Sequence, residues 1–273
     1  MDPSITIHEA GPVRPVTYLK EVVRHRRLIL LFARRELKAR YAQTILGFCW
    51  TAAQPLFWLV LFWLFFTFVF KVQTGPVPYP IFLFCGLVIW QFFITIAQRT
   101  STVLIESGEL ITSIYYPKLI LLLSRILSAT FDLLIHLIIL GIMMAAWKFA
   151  PAATVIAFPL AIVAAAIAGI TVGIWISAVS IRYRDAQQVM PLLLQGGIWL
   201  TPVFFEPSVV PEYLHWIFYM NPMAGAVSVA RWTLLGTEAP QVWYLSGMML
   251  NIMLLILGYY VFIRSERVIA DHI

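Results

Sequence analysis

Charged residues are scarce in this chain, and their scarcity excludes a soluble globular protein. They make up 12% of the sequence, whereas hydrophobic residues make up 61%. Soluble domains are about 45–50% apolar and about 25% charged. The composition therefore predicts an all-α membrane protein that crosses the bilayer several times.

Residues for redox, metal and nucleotide chemistry are also scarce. The chain has two cysteines, and the predicted topology puts Cys49 and Cys85 towards opposite membrane faces, so we expect no disulfide between them. The sequence contains no GxxxxGK[ST] phosphate-binding loop, HExxH zinc motif, CxxC pair or GxSxG nucleophile motif. We therefore expect no enzyme activity, metal or cofactor in this chain by itself.

Long apolar runs predict six membrane-spanning helices. Their approximate limits are residues 45–70, 81–98, 119–147, 155–181, 188–205 and 242–263. About 20 helical residues cross a hydrocarbon core, and the fifth run is the shortest. Gly169 and Gly173 in the fourth run predict close helix packing. The first run begins too late and is too long for a signal peptide, so we expect no cleaved leader.

The positions of Lys and Arg support six spans. With both termini in the cytoplasm, 16 of the 19 Lys and Arg residues fall inside, and Lys71, Lys148 and Arg231 fall outside. Cytoplasmic segments are enriched in these residues, and an odd number of spans would spoil the asymmetry. We interpret the net charge of +6 as orientation bias and expect no nucleic-acid partner.

The region before the first span predicts a separate interface element. Residues 1–40 are a polar tail followed, over residues 16–38, by mixed apolar and basic residues typical of an amphipathic helix at the membrane interface. Residues 41–273 form the six-span domain in this interpretation.

Asp132 and His136 form the clearest polar pair inside a predicted span, because their spacing puts both on one helix face. A proton relay is one interpretation, since ionisable residues inside membranes are often functional. The alternative is structural: an interhelical hydrogen bond, or a pair between Asp132 and Arg125. Few other ionisable residues lie in the apolar runs, which favours energy supplied by another subunit over ion coupling.

Aromatic residues make up 15% of the chain, and membrane-interface belts account for most of them. Trp and Tyr faces also stack on sugar rings, because they combine apolar area with a polar edge. The candidates for a channel wall lie on spans one and five: Trp50, Trp58, Trp63, Trp199, Phe204 and Phe205.

Four segments carry a resemblance to a known family. They are RRELKARYAQTILGFCWTAAQPL at 34–56, LITSIYYPK at 110–118, IRYRDAQQVMPLLLQGGIWLTPVFF at 181–205 and MNPMAGAVSVAR at 220–231. In this order they resemble the ABC-2 class of transporter membrane subunits, and more narrowly the permeases that export O-antigen, capsule or teichoic-acid polymers. The resemblance implies ATP-driven export of a lipid-linked polysaccharide across the bacterial cytoplasmic (inner) membrane.

The resemblance also implies an assembly. Two copies of this chain would pair with two copies of an ABC ATPase that binds ATP and Mg, and the polymer path would lie between the two permease chains, lined by spans one and five. A coupling helix at about 106–116 would dock into the ATPase, and short outer gate helices, half-buried or re-entrant, would lie at about 207–236. The implied coupling residues are Glu106, Ser107, Glu109, Leu110, Ile114 and Tyr115.

The resemblance places the entrance for the lipid pyrophosphate at the start of span one, at Lys38, Arg40 and Tyr41. Arg and Lys pair well with phosphate oxygens. The alternative for Arg40 is anchoring to lipid headgroups.

Three other functions remain open from the sequence. An ABC-2 permease for a drug or a small lipid shares the same pattern. An integral-membrane enzyme acting on lipid-linked sugars would need a carboxylate or His constellation at one membrane face, and none is evident. An ion-coupled carrier would depend on Asp132 and His136.

Overall fold

The residues that the structure describes form helices joined by turns, with no β-strand among them. A computed structural model covers residues 22–42, 49–69, 76–103, 119–183 and 185–270. Helices α1 to α9 are Arg26–Tyr41, Cys49–Phe68, Tyr79–Ser101, Leu119–Ala146, Phe158–Ser180, Ala186–Gly197, His215–Met220, Pro222–Leu235 and Tyr244–Ala270. Short 3-10 turns lie at Ala153–Ala157, Pro207–Val209 and Glu212–Leu214.

Five helical segments in the described ranges are long and apolar enough to cross a membrane. They are Cys49–Phe68, Tyr79–Ser101, Leu119–Ala146, Ala153–Ser180 and Tyr244–Arg264. These segments match five of the six predicted spans, and the expectation of an all-α multi-pass membrane protein is confirmed.

The remaining predicted span, at 188–205, is not one continuous helix. α6 has only 12 residues and ends at Gly197. The backbone then continues in tight turns, in which the amides of Trp199 and Leu200 donate to carbonyls three residues earlier at 3.1 Å. Two adjacent glycines weaken helix formation, and Pro202 lacks the backbone amide that a helix requires.

Helix α3 is the centre of the bundle. Within its apolar stretch 83% of the residues are buried, against 17% in α2 and 22% in α9. α5 packs closely along α3 through its two glycines. A Cβ atom on Gly173 would lie 2.5 Å from Thr100 Cβ, and one on Gly169 would lie 2.9 Å from Ile96 Cβ. The predicted close packing at this glycine pair is therefore confirmed, and it occurs inside one chain.

Helix α1 has the predicted amphipathic character. Its apolar residues Leu28 and Phe32 pack around Ile120 at the start of α4, whereas Arg34 and Arg35 are exposed. The first residues of the predicted helix, up to residue 21, lie outside the described residues. Packing of one apolar face against α4 fixes the position of α1 beside the ends of α3 and α4.

Candidate functional site

A network of five charged side chains joins α1, α3 and α4. Arg40 donates hydrogen bonds to Asp132 at 2.8 Å and to Glu36 at 3.0 Å. Arg99 forms an ion pair with Asp132 and lies 3.7 Å from Glu36, and Arg125 lies 3.3 Å from Glu36. Three cations and two carboxylates leave this network with a formal charge of +1.

The contacts of Asp132 and His136 fit the structural interpretation of this pair. Tyr41 donates to Asp132 at 3.1 Å and shares a hydrogen bond with Thr51 at 2.9 Å. His136 Nε2 lies 2.9 Å from the Thr51 carbonyl oxygen, so both side chains connect α4 to neighbouring segments. The alternative pair between Asp132 and Arg125 is wrong, because Arg125 contacts a carboxylate of α1 instead.

A polar cavity of about 450 Å³, here called the Arg99 cavity, lies beside this network. Two of the three residues predicted at the lipid pyrophosphate entrance, Arg40 and Tyr41, line it together with Arg99. Lys38 is exposed and is not among the lining residues. Trp50, predicted for the channel wall, also lines this cavity. From the sequence alone, Arg99 was only one of the cytoplasmic Lys and Arg residues that support the topology, because it follows an apolar run.

An aromatic cluster joins α2 to the turns that follow α6. Its centre is Phe62, whose ring centroid lies 4.4 Å from Phe204, 5.5 Å from Trp58 and 6.3 Å from Trp199. Phe66 stacks on Phe204 at 5.2 Å. Sequence reasoning missed the two phenylalanines of α2, although their spacing of four and eight residues from Trp58 puts all three on one helix face.

The six predicted channel residues occupy different environments. Trp58, Trp63 and Trp199 keep 40%, 37% and 54% of their surface exposed, so they can contact a molecule outside the chain. Phe204 is fully buried and supports Trp199 from behind at a centroid distance of 5.1 Å. Phe205 packs instead against a phenylalanine of α7, at 6.1 Å.

Asn221 fixes one part of the turn region 198–205. Its Nδ2 donates to the Leu200 carbonyl and to Thr201 Oγ1, both at 2.9 Å. Its Oδ1 caps α8 by accepting from the Met223 amide at 2.9 Å. The helix ends at Gly236, whose φ of +70° suits a residue without a Cβ.

Arg231, also on α8, fixes the rest of this region. Its guanidinium donates to the carbonyl oxygens of Pro202 at 2.6 Å, Val203 at 2.5 Å and Phe205 at 3.4 Å, and it lies 3.5 Å above the Phe82 ring. Protein groups therefore satisfy these carbonyls of the irregular backbone.

A second cavity, here called the Glu206 cavity, has both polar and apolar lining residues and lies at the opposite end of α3. Its volume is about 670 Å³, and its lining includes Phe82, Glu206, Tyr219 and Arg231. Phe82 and Arg99, which line the two cavities, are separated by about 25 Å along α3 at 1.5 Å per residue.

The predicted coupling residues cannot be placed in this arrangement. Glu106, Ser107, Glu109, Leu110, Ile114 and Tyr115 all lie in the segment 104–118, outside the described residues.

The comparisons with known proteins agree in class. The model of the family described as "ABC-2 type transporter" matches residues 27–235. The O-antigen export system permease protein RfbA of Klebsiella pneumoniae is 25% identical over 201 residues, which are 73% of this chain and 77% of that protein. The RfbA of Myxococcus xanthus is 26% identical over 200 residues, covering 72% and 75%.

A polysialic acid transport protein is a further relative. The polysialic acid transport protein KpsM of Escherichia coli is 22% identical over 221 residues, covering 80% of this chain and 83% of that protein. The family match spans most of the chain and includes α1, the Arg99 cavity, the aromatic cluster and α8. This chain therefore belongs to the ABC-2 type transporter family.

Proposed function

We propose that the chain is the permease subunit of an ATP-driven exporter that moves a lipid-linked polysaccharide, of the O-antigen, capsule or teichoic-acid type, across the bacterial cytoplasmic membrane. The single observation that carries this proposal is the position of the exposed aromatic surface. Trp58 and Trp199 lie on the segments between the Arg99 cavity and the Glu206 cavity, at opposite ends of the bundle. The names of these relatives agree with a polysaccharide substrate.

An aromatic surface between these two cavities suits a polymer better than a small molecule. Stacking faces accept successive sugar rings without demanding one particular hydrogen-bond pattern. A sugar chain can therefore slide along them, whereas a closed pocket would hold one residue. The exposed faces of Trp58, Trp63 and Trp199 are the proposed contact points.

A second copy of the chain would complete the path. Only 17% of the apolar stretch of α2 is buried, so a large aromatic face remains available to a partner. Two copies, each contributing α2 and the region 198–205, would enclose a channel between them. Two copies of an ATPase subunit would bind ATP and Mg and act on the segment 106–116.

The proposed topology has six crossings with both termini in the cytoplasm. α6 and the turns at 198–205 would together make the fifth crossing, and α7 and α8 would be re-entrant gate helices on the outer side. Support comes from the unequal distribution of Lys and Arg and from the length of α6, which at 12 residues needs the turn region to reach across.

The Arg99 cavity is the proposed entrance for the lipid pyrophosphate. Arg40 and Tyr41 line it, and the network beside it carries a formal surplus of one positive charge. A pyrophosphate could exchange with Asp132 as a partner for Arg40 and Arg99, because guanidinium groups bind phosphate and carboxylate oxygens alike. Lys38, exposed nearby on α1, would assist at the membrane surface.

Two measurements test this function together. Deleting the gene should retain the polymer inside the cell and remove it from the surface, and expression of the wild-type chain should restore it. Gentle purification should recover a stoichiometric ATPase subunit, which is lost when residues 106–116 are altered. A chain that purifies alone and transports without ATP would refute the proposal, and unchanged surface polymer with export of a drug or small lipid would favour the other ABC-2 substrates.

A further inference from the structure

The Glu206 cavity has the chemical make-up of a binding site rather than of a packing defect. Its volume of about 670 Å³ lies in the range of about 300–1,000 Å³ that is usual for ligand sites. It combines carboxylates, a buried cation and aromatic rings. Neither the aromatic cluster nor the charge network uses these groups.

One wall of the cavity is aromatic. Phe218, Tyr219 and Tyr244 line it, and the rings of Tyr219 and Tyr244 meet edge to face with centroids 5.2 Å apart. The hydroxyl of Tyr219 donates to Gln241, which also lines the cavity. These contacts hold the tyrosine rings in fixed orientations, so they offer a preformed apolar wall with polar edges.

Three other lining residues are hydrogen-bond acceptors. Glu206, Glu212 and Glu238 line the cavity, and no salt bridge joins them to another residue in the part of the chain that the structure describes. Ionised carboxylates accept hydrogen bonds and donate none. They therefore favour a ligand that brings several hydrogen-bond donors.

Arg231 has one hydrogen-bond donor that is not used among the described residues. The side chain is only 3% exposed, and its Nε has no hydrogen-bond partner among the described residues. Its other nitrogens bond to neutral backbone carbonyls, so no carboxylate contacts this buried charge directly. A buried donor without a partner is unusual and costly, and a ligand oxygen admitted by a small shift of the cavity floor would satisfy it.

The balance of charge selects the class of ligand. Three glutamates and one arginine give the lining a formal charge of −2 with His215 neutral, which disfavours an anion. A metal ion is also disfavoured, because no three His, Cys, Asp or Glu side chains of the described residues come together as ligands. An uncharged sugar fits, since each hydroxyl can donate to a carboxylate and accept from an arginine or a glutamine.

We infer that the Glu206 cavity is a saccharide-binding site that accepts uncharged sugar residues of the exported polymer at the end of the path remote from the Arg99 cavity. The inference rests on the proposed function and narrows it, because it assigns this transporter a polymer whose repeating unit carries no net charge. A carboxylate-lined exit site would repel a polyanion and thereby oppose its passage.

The experiment measures saccharide binding by the whole transporter, this chain with its ATPase, in lipid nanodiscs. The probes are short oligosaccharides from mild acid hydrolysis of the source cell's own surface polysaccharide and, as a charged comparator, short oligosialic acid. Saturation-transfer NMR detects contact, and a titration gives the dissociation constant. We expect the cell's own oligosaccharides to be uncharged and to bind, and oligosialic acid to bind at least about tenfold more weakly.

Variants localise the binding. Glu206→Ala should weaken binding of the uncharged oligosaccharides about tenfold, the loss of one charge-assisted hydrogen bond. Glu238→Gln, at an exposed position, should weaken it to a smaller degree. Asp185→Ala, which removes an exposed carboxylate remote from the cavity, should leave it unchanged. Replacing Glu212 and Glu238 together by Lys changes the lining charge from −2 to +2 and should raise the affinity for oligosialic acid.

Separate outcomes address the two proposals. Surface polymer that persists after deletion of the gene defeats the proposed export function. Export that depends on the chain, with a polyanionic native polymer or with binding unaffected by Glu206→Ala and Glu238→Gln, overturns the saccharide site and leaves the export function standing.

Discussion

Replacing Asp132 by Asn tests whether this residue holds the bundle together or relays protons. The substitution keeps the shape of the side chain and removes its charge. The formal charge of the network then rises from +1 to +2, and Arg99 and Arg40 lose their shared carboxylate. We expect a loss of stability with transport reduced in proportion to the loss of folded protein.

The size of the expected loss of stability follows from the burial of the ion pair. The side chains of Asp132 and Arg99 are 9% and 13% exposed, so their pair is a buried one, and removing one partner of such a pair costs about 3–5 kcal/mol. Arg99 keeps a hydrogen bond to Ser128 at 2.8 Å and its contact with Glu36. We therefore expect the lower value, about 3 kcal/mol, which corresponds to a fall in Tm of about 6–12 °C.

The assay is thermal unfolding of the purified transporter in detergent, followed by intrinsic fluorescence, beside export measured in cells. Asp185→Asn is the matched control, because this carboxylate is exposed and its side chain makes no capping hydrogen bond. It should change stability by less than about 0.5 kcal/mol. The double variant Asp132→Asn with Arg99→Gln restores the network charge to +1 and should recover part of the lost stability.

An unchanged Tm with abolished export in Asp132→Asn would refute a purely structural role for Asp132. That pair of results would mean that the charge of Asp132 is needed for transport and not for folding, as an ion-coupled carrier requires.

Three further substitutions test other contacts. Gly173→Ala should destabilise the protein by about 1–3 kcal/mol, because the added Cβ has no room against α3. The control Gly141→Ala, with open space around it, should be neutral or slightly stabilising. Equal Tm values for the two variants would contradict the close approach of α5 to α3. Arg231→Lys should speed hydrogen exchange in the region 198–205, since an ammonium cannot bond three carbonyls with the same planar fork; unchanged exchange would refute the pinning of that region. Trp199→Ala should lower polymer export with little effect on Tm. Phe204→Ala should lower the Tm by the equivalent of about 3–5 kcal/mol, because its ring is fully buried. Normal export together with a lowered Tm in Trp199→Ala would exclude Trp199 from the polymer path.

The sequence predicted the long helices well because their signal is local. A run such as 119–147 is apolar enough to require burial in lipid or protein, and Leu119–Ala146 is indeed one helix. The glycine pair in α5 was also readable, since two small residues four apart give one helix face without side chains. Neither inference depended on knowing which helix lies beside which.

The sequence was less informative wherever two distant segments meet. The sequence identified Arg99 and Arg231 only as charges on the cytoplasmic and the outer side of the membrane. In the structure each contacts residues about 30 positions away. A single sequence carries no signal for such a pairing, because the partners of Arg231 are backbone carbonyls that any residue type presents. The end of α6 was foreseeable as irregular from Gly196 and Gly197, and the course of the chain beyond them was not.

The two ends of α8 pin the segment 198–205. Asn221 and Arg231 hold neighbouring carbonyls of this segment, and neither side chain belongs to the linker 206–220 that joins the segment to α8. Glu206 and Glu212, which line the Glu206 cavity, belong to that linker. If the proposed saccharide site is correct, replacing these linker glutamates changes the cavity while the hydrogen bonds from α8 to the segment that carries Trp199 stay in place.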